Sequence, residues 1–406
     1  MSETRRAFVA FFTSLKLTVV LLALSIILIF WATLAQVKLG IWGVQQEFFR
    51  TFFVLGKIPG TEIPIPLFPG GYTLGGFLLV NLIAAHACRF KFSLKKSGIL
   101  LTHFGLILLL LGELATSLWQ EEFMLRLDEG QTRNYAESTR ETELAIANVS
   151  DPAWDDVVAI PTERLETLGT IQHPGLPFRV VTRAYYPNAF VDASPDQGTP
   201  AKVPELPVRA TRDIGTRSIV RPQPITYRED QRNWPTSFVE LFGPEGSLGT
   251  WMLSAMLIDP QTFEYGGRTW TMQIRPERRY LPFSLNLIDF SHDRYAGTNI
   301  PKNFSSRLHL RTDDGREDRD VLIYMNNPLR AAGMTFYQAS FDNDDKTTIL
   351  QVVRNPGWLV PYIACIAMAA GMVIQFGMHL VGFARKRSAA AAQAAARTAP
   401  SATSLT

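Results

Sequence analysis

Cysteine is almost absent from this chain. Its 406 residues hold two, Cys88 and Cys365, and both fall in apolar stretches. No C-x-x-C occurs, so thiol redox chemistry by this chain itself is excluded. Histidine is scarce as well, at six residues. The three in the polar part of the chain, His173, His292 and His309, have no H-x-x-x-H spacing and no accompanying cysteine, so they spell no metal site. A G-x-S-x-G elbow and a P-loop are also missing, which argues against an independent hydrolase, kinase or transport ATPase. A large net charge is missing too: the formal value is +3, which gives nucleic-acid binding no support.

What the chain does have is long apolar runs. Leu17–Ala35, Tyr72–Cys88, Gly98–Trp119 and Trp358–Phe383 are long enough, or nearly so, to cross a hydrocarbon layer of roughly 30 Å at about 1.5 Å per residue. Between the third and fourth lies a polar block, Gln120 to Pro356. The expected fold class is therefore a membrane α + β protein. It would have four transmembrane helices (about 17–36, 72–88, 98–119 and 357–383), with a large mainly-β extracytoplasmic domain (120–356) inserted between helices 3 and 4.

Charge orients this plan. Residues 1–16, the loop between the second and third runs, and the tail after Phe383 hold Arg5, Arg6, Lys16, Arg89, Lys91, Lys95, Lys96, Arg385, Lys386, Arg387 and Arg397 against the single acid Glu3. The positive-inside rule places both termini on the cytoplasmic side and the large domain outside. That domain has 26 basic and 33 acidic residues, so the modest overall charge hides two opposite halves. Residues 1–36 could also be read as a signal peptide cleaved near Thr33-Leu34-Ala35. The apolar run is longer than a usual signal core, so the expectation is an uncleaved anchor.

Without disulfides, the outer domain must rest on a hydrophobic core, which a block of about 235 residues can supply. Alternating runs predict strands at Phe123–Leu127, Phe178–Arg183, Thr269–Ile274, Arg307–Leu310, Val321–Tyr324 and Thr348–Val353, with turns at Glu129-Gly130, Gly266-Gly267 and Asp313-Asp314-Gly315. A short helix is expected within Asp151–Leu168, and an irregular excursion from Asp192 to Pro224. The Pro-rich outer loop Ile58–Pro69 cannot be helical and reads as a spacer or docking surface. The Ala-, Ser- and Thr-rich residues 384–406 read as a disordered cytoplasmic tail.

Polar residues inside the spans are expensive and therefore informative. They are Asn81 and His86 in the second, His103 and Glu113 in the third, and Gln375 and His379 in the fourth. His86 and His103 both fall roughly 6–8 Å below the inner surface, and the short loop between their spans makes these antiparallel neighbours. His379 also comes near the inner end of its span. A neutral imidazole at that depth can ligate a metal or haem iron, though it can equally hydrogen-bond a headgroup or a carbonyl. His103 stands out because Phe104-Gly105 follows it, and glycine admits a large group to the backbone. Glu113 reads as pairing with a polar group on a partner helix, or as a proton site.

Several blocks resemble the ResB family of cytochrome c biogenesis proteins. They are Ser14-Leu15-Lys16-Leu17-Thr18, Asn81-Leu82-Ile83, Leu101-Thr102-His103-Phe104-Gly105-Leu106 with Leu110-Leu111-Gly112-Glu113, and Met124-Leu125-Arg126-Leu127-Asp128-Glu129-Gly130-Gln131. Late in the outer domain come Leu281-Pro282-Phe283, Asp289-Phe290, Asn303-Phe304-Ser305-Ser306, Met325-Asn326-Asn327-Pro328-Leu329, Gly333 through Phe341, and Val353-Arg354-Asn355-Pro356-Gly357. One departure is Trp31-Ala32-Thr33, where the family pattern has glycine before the threonine.

The resemblance implies a non-autonomous subunit of the System II cytochrome c synthase, a haem lyase. It would take part in delivering haem b across the membrane and attaching it to apocytochrome c, with catalysis shared with or supplied by a CcsA-type membrane protein. It implies no catalytic residue in this chain. It makes His103 the haem axial ligand, so that the iron is the metal concerned, with His86 and His379 as further candidates and the second ligand supplied by CcsA. Lys95 and Lys96 lie where propionates would be met, although their role in setting topology already explains them. The outer domain is left to bind the partner, apocytochrome or a thiol-reducing protein. Two other classes stay open: a non-catalytic membrane scaffold for redox-protein assembly, and a quinone- or proton-linked membrane subunit.

Overall fold

The computed structural model describes residues 3–58, 60–61, 63–89, 93–193, 206–228, 231–298, 301–342 and 346–398. The chain divides into two compact units, Met1–Gln120 with Asn355–Thr406, and Glu121–Arg354.

The first unit is helical. A short helix α1 (Glu3–Phe12) precedes α2 (Leu15–Val44), α3 (Gly71–Arg89) and α4 (Ser97–Trp119). Four helices, α2, α3, α4 and the C-terminal one at Val360–Thr398, are long and apolar enough to cross a membrane. Helix α2 outruns the predicted span, with Gly40 at φ +71 interrupting its regular geometry. Its buried stripe includes Leu21, Leu28 and Ala32, which pack with Val44, Phe48, Val54 and Leu74. A small residue at Ala32, where a glycine was expected, thus still lies inside the packing. Asn81 pins this group: it is 3% exposed, meets Thr18 Oγ1 at 2.6 Å, and donates to the Phe12 and Ser14 carbonyls. The Pro-rich loop forms an antiparallel hairpin, Phe53–Lys57 against Pro64–Pro69. Pro64, Pro66 and Pro69 sit in this two-stranded sheet, where a missing N–H costs little.

The second unit is mainly β, as the alternating runs predict. Two long strands dominate it: Arg268–Arg294, which far outruns the expected Thr269–Ile274, and Thr132–Asn148, where no strand was expected. They pair with each other and run between two separate cores. One core collects Phe123, Leu125, Leu127, Phe283, Leu285, Phe336 and Leu350 from a sheet that ends on Asp318–Tyr324 and Leu329–Ala331. The other packs Leu144, Ile146, Trp270 and Met272 against Val180, Val239, Trp251 and Leu253 of a four-stranded sheet. Between the two cores Arg275 meets Glu143 at 2.8 Å, both nearly buried. The predicted turns are where glycine is needed: Gly130, Gly266, Gly267 and Gly315 all have φ between +62 and +80.

A single-turn helix α5 (Glu163–Glu166) falls within the expected Asp151–Leu168 stretch, which also contains the strand Asp156–Pro161. Two expectations are corrected. The 192–224 excursion is partly regular, because Ala189–Ala193 pairs with Ser218–Pro222, while 194–205 lies outside the described residues. The tail is not irregular from residue 384, because α6 (Val360–Thr398) continues as far as Thr398, while 399–406 lies outside the described residues. Its alanine run has the highest helix propensity of any residue type.

Glu277 gives this unit a pH signature. Partial burial raises its pKa, and the nearby Glu141, Glu143 and Glu163 raise it further. A carboxyl whose folded pKa is raised stabilises the fold while protonated, and this contribution is lost as pH rises through the raised value. Glu277→Gln is therefore expected to melt higher than the parent at pH 8, with the difference closing toward pH 4. Thermal unfolding of the full-length protein at both values checks this, and a gap that does not narrow at low pH contradicts it.

Candidate functional site

The site is set by how α4 divides its faces. Gly98, Gly105 and Gly112, seven residues apart, are its buried positions. A Cβ at Gly105 would come within 2.6 Å of Met368 Cγ and 2.7 Å of the Ala364 carbonyl; one at Gly98 would reach the Gln375 backbone nitrogen at 2.7 Å. Gly371 faces Thr102 in return. Helices α4 and α6 thus pack backbone to backbone, the usual use of small residues between membrane helices. This corrects one expectation: the space beside Gly105 is filled by α6, so this glycine does not hold room for a ligand next to His103.

A second face of α4 meets α3. Ser117 Oγ and Tyr72 OH share a 3.2 Å hydrogen bond near one end of the pair. Near the other end the His86 and His103 rings lie 4.7 Å apart, tilted by 45°. These two contacts fix an antiparallel register in which both imidazoles lie at one depth. Each ring also bonds within its own helix: Nδ1 of His86 lies 2.8 Å from the Leu82 carbonyl, and Nδ1 of His103 is 2.8 Å from that of Ile99. A carbonyl only accepts, so Nδ1 carries the proton in both rings and Nε2 is the nitrogen with a ligating lone pair. Fixing one ring nitrogen by a carbonyl is the arrangement that orients metal-binding histidines elsewhere.

The pair cannot clamp one metal plate between its rings as it stands. An imidazole nitrogen ligates a transition metal at about 2 Å, so rings on opposite sides of the metal would have centroids about 6 Å apart. At 4.7 Å the two are too close. The arrangement fits one ligand from this chain, with the neighbouring ring beside it and the opposite position left for a group from elsewhere.

His379 does not join the pair. It is exposed, and its Nε2 lies 2.7 Å from the Gln375 amide one turn earlier on α6. Glu113 is exposed, and among the described residues it has no hydrogen-bond or ion-pair partner. The pairing expected for it is therefore not made among the described residues of this chain. Lys96 is exposed, whereas Lys91 and the Lys95 side chain lie outside the described residues. Cys88 and Cys365 are both exposed free thiols.

The three histidines of the β unit are all engaged locally. His309 sits between Asp320 at 2.9 Å and Asp318 at 2.7 Å, and these raise its pKa, the Asp320 hydrogen bond most. His292 stacks on Phe341 at 4.8 Å and accepts from Arg294 Nε. His173 Nδ1 accepts from the Gly175 amide. Among the described residues, no group of three or more His, Cys, Asp or Glu is placed to hold a metal ion.

Residues 261–349 match the model of the ResB-like family. Over 98 residues the chain is also 35% identical to Protein NrfI of Wolinella succinogenes, a stretch making up 24% of this chain and 11% of NrfI. The chain thus aligns with about a tenth of the length of that curated relative. The family match lies wholly within the β unit and includes the Asn303–Ser306 and Gly333–Phe341 blocks. The helices that carry His86 and His103 fall outside it.

Proposed function

Starting from its membership of the ResB-like family, carried by residues 261–349, we propose that the chain is a ResB-type subunit of a cytochrome c synthase. It works with a CcsA-type membrane protein in an inner membrane and takes part in moving haem outward for attachment to apocytochrome c. Haem is cargo here, held in passing. His103 is its axial ligand from this chain, His86 is the ring that positions it, and the second ligand belongs to the partner. Both termini are cytoplasmic and the β unit is extracytoplasmic, where it receives apocytochrome or a thiol-reducing protein.

The observation that carries the reading is the His86–His103 pair, with Nδ1 fixed on the helix backbone and Nε2 as the ligating nitrogen. A haem is flat, apolar on its faces and anionic at its propionates. Imidazole between apolar helices beside a basic inner loop suits both properties. The proton-path alternative is disfavoured by what separates His103 from Glu113. They are ten positions apart, about 15 Å of helix, and Leu106–Leu111 offers no polar side chain between them.

Co-expression with a CcsA-type partner and an apocytochrome tests the function, in a host stripped of its own maturation system. Covalent haem on the cytochrome should need both membrane proteins, and haem attachment without this chain would refute the reading. In the same host, reporter fusions after Lys96 and Arg387 should read cytoplasmic and those near Gly130 or Gly267 external. An external reading at Lys96 would overturn the orientation.

A further inference from the structure

Helices α3 and α4 share an outer half that this chain leaves open. The register that sets Tyr72 against Ser117 and His86 against His103 brings Gly76 level with Glu113. A Cβ added at Gly75 or Gly76 would meet nothing within 4 Å, unlike the glycines of α4, which α6 fills. Glu113 is exposed beside this gap. It lies one turn before Ser117 and seven residues beyond Leu106, itself 38% exposed.

A carboxyl on a membrane-facing helix surface is costly unless something polar covers it. Glycines on the neighbouring helix let another backbone approach closely, and helices that pack this way commonly add an interhelical hydrogen bond. Both features call for a helix with a donor side chain, and they occur at one level. We propose that Gly75, Gly76 and Glu113 form the docking notch for one transmembrane helix of the partner subunit. That helix crosses closely at the glycines and presents a hydrogen-bond donor to the Glu113 carboxyl. The proposal rests on the synthase reading for the partner's identity, but not on which histidine binds haem.

The test uses the full chain co-expressed with the tagged CcsA-type subunit, with a photo-cross-linking residue at position 106 or, as control, at Phe376, which is 71% exposed on α6. Position 106 should cross-link to the partner and position 376 should not. Glu113→Ala and Gly75→Leu should lower that product about three- to twentyfold, the range set by one interhelical hydrogen bond or packing contact. Glu113→Gln, which still accepts a hydrogen bond, should retain it. Because a side chain at position 75 starts in open space, its loss of cross-link reports docking and not folding, and equal protein levels in all variants confirm this. A product from position 106 made only with a second copy of this chain overturns the proposal, as does insensitivity to both disruptive variants. The haem band of the same preparations separates the two claims. A haem-bearing complex with an unaffected cross-link sinks the notch alone, whereas a complex without haem sinks the synthase reading.

Discussion

Replacing His103 by glycine is expected to abolish cytochrome c maturation while leaving the protein inserted and at normal levels. The side chain sits on the α3-facing surface of α4, away from the glycine stripe against α6. Its removal therefore takes away the proposed ligating nitrogen without disturbing the tightest helix packing. Added imidazole should partly restore activity to the glycine variant, because a small ligand can enter the vacated volume. His86→Ala should weaken haem retention by about tenfold, as loss of a group that orients a ligand does. His379→Ala should change little, since its ring bonds to Gln375 on its own helix. Maturation in cells carrying each variant ranks the three. If His379→Ala were the most damaging, the α3–α4 pair would be the wrong site.

The second large effect is expected at Gly105. Any side chain there runs into the Met368 side chain and backbone and the Ala364 carbonyl. Backbone cannot yield as a flexible side chain can, so Gly105→Leu should force α4 and α6 apart at a cost of about 1–3 kcal/mol or more. Protein levels should fall several-fold, with increased proteolysis of the detergent-solubilised protein. Gly377→Leu is the matched control, because its Cβ would meet nothing within 4 Å. Equal sensitivity of the two positions would contradict the α4–α6 packing.

Much of the architecture can be read in the residues alone, for physical reasons. Apolar runs mark the spans because hydrocarbon tolerates little else. Phe123, Leu125 and Leu127 alternate with half-buried Met124 and exposed Glu122, Arg126 and Asp128 because one face of their strand is core. The common depth of His86 and His103 follows from their similar distances to a short loop, and the ring contact agrees with it. Other features are hidden. The strand Arg268–Arg294 contains Pro276 and Pro282 and loses register between Pro276 and Arg278 and again between Tyr280 and Leu285. Those irregularities break the alternation that would reveal its length. Gly105 stands next to a candidate ligand, and only the position of α6 shows which neighbour it serves. The alanine-rich tail combines a composition common in disorder with strong intrinsic helicity, and helicity prevails in the fold.

The claim that matters most is that His103 binds haem, and the absorption spectrum of the purified complex tests it most directly. The parent chain, co-purified with a CcsA-type protein as the proposed function requires, should show a Soret band with the α and β bands of low-spin haem held by two axial nitrogen ligands. His103→Ala, purified identically and at equal protein, should lose that spectrum, and His379→Ala should keep it. A His103→Ala complex with the parent's haem content and band positions would contradict the assignment and leave the assembly-scaffold reading in its place.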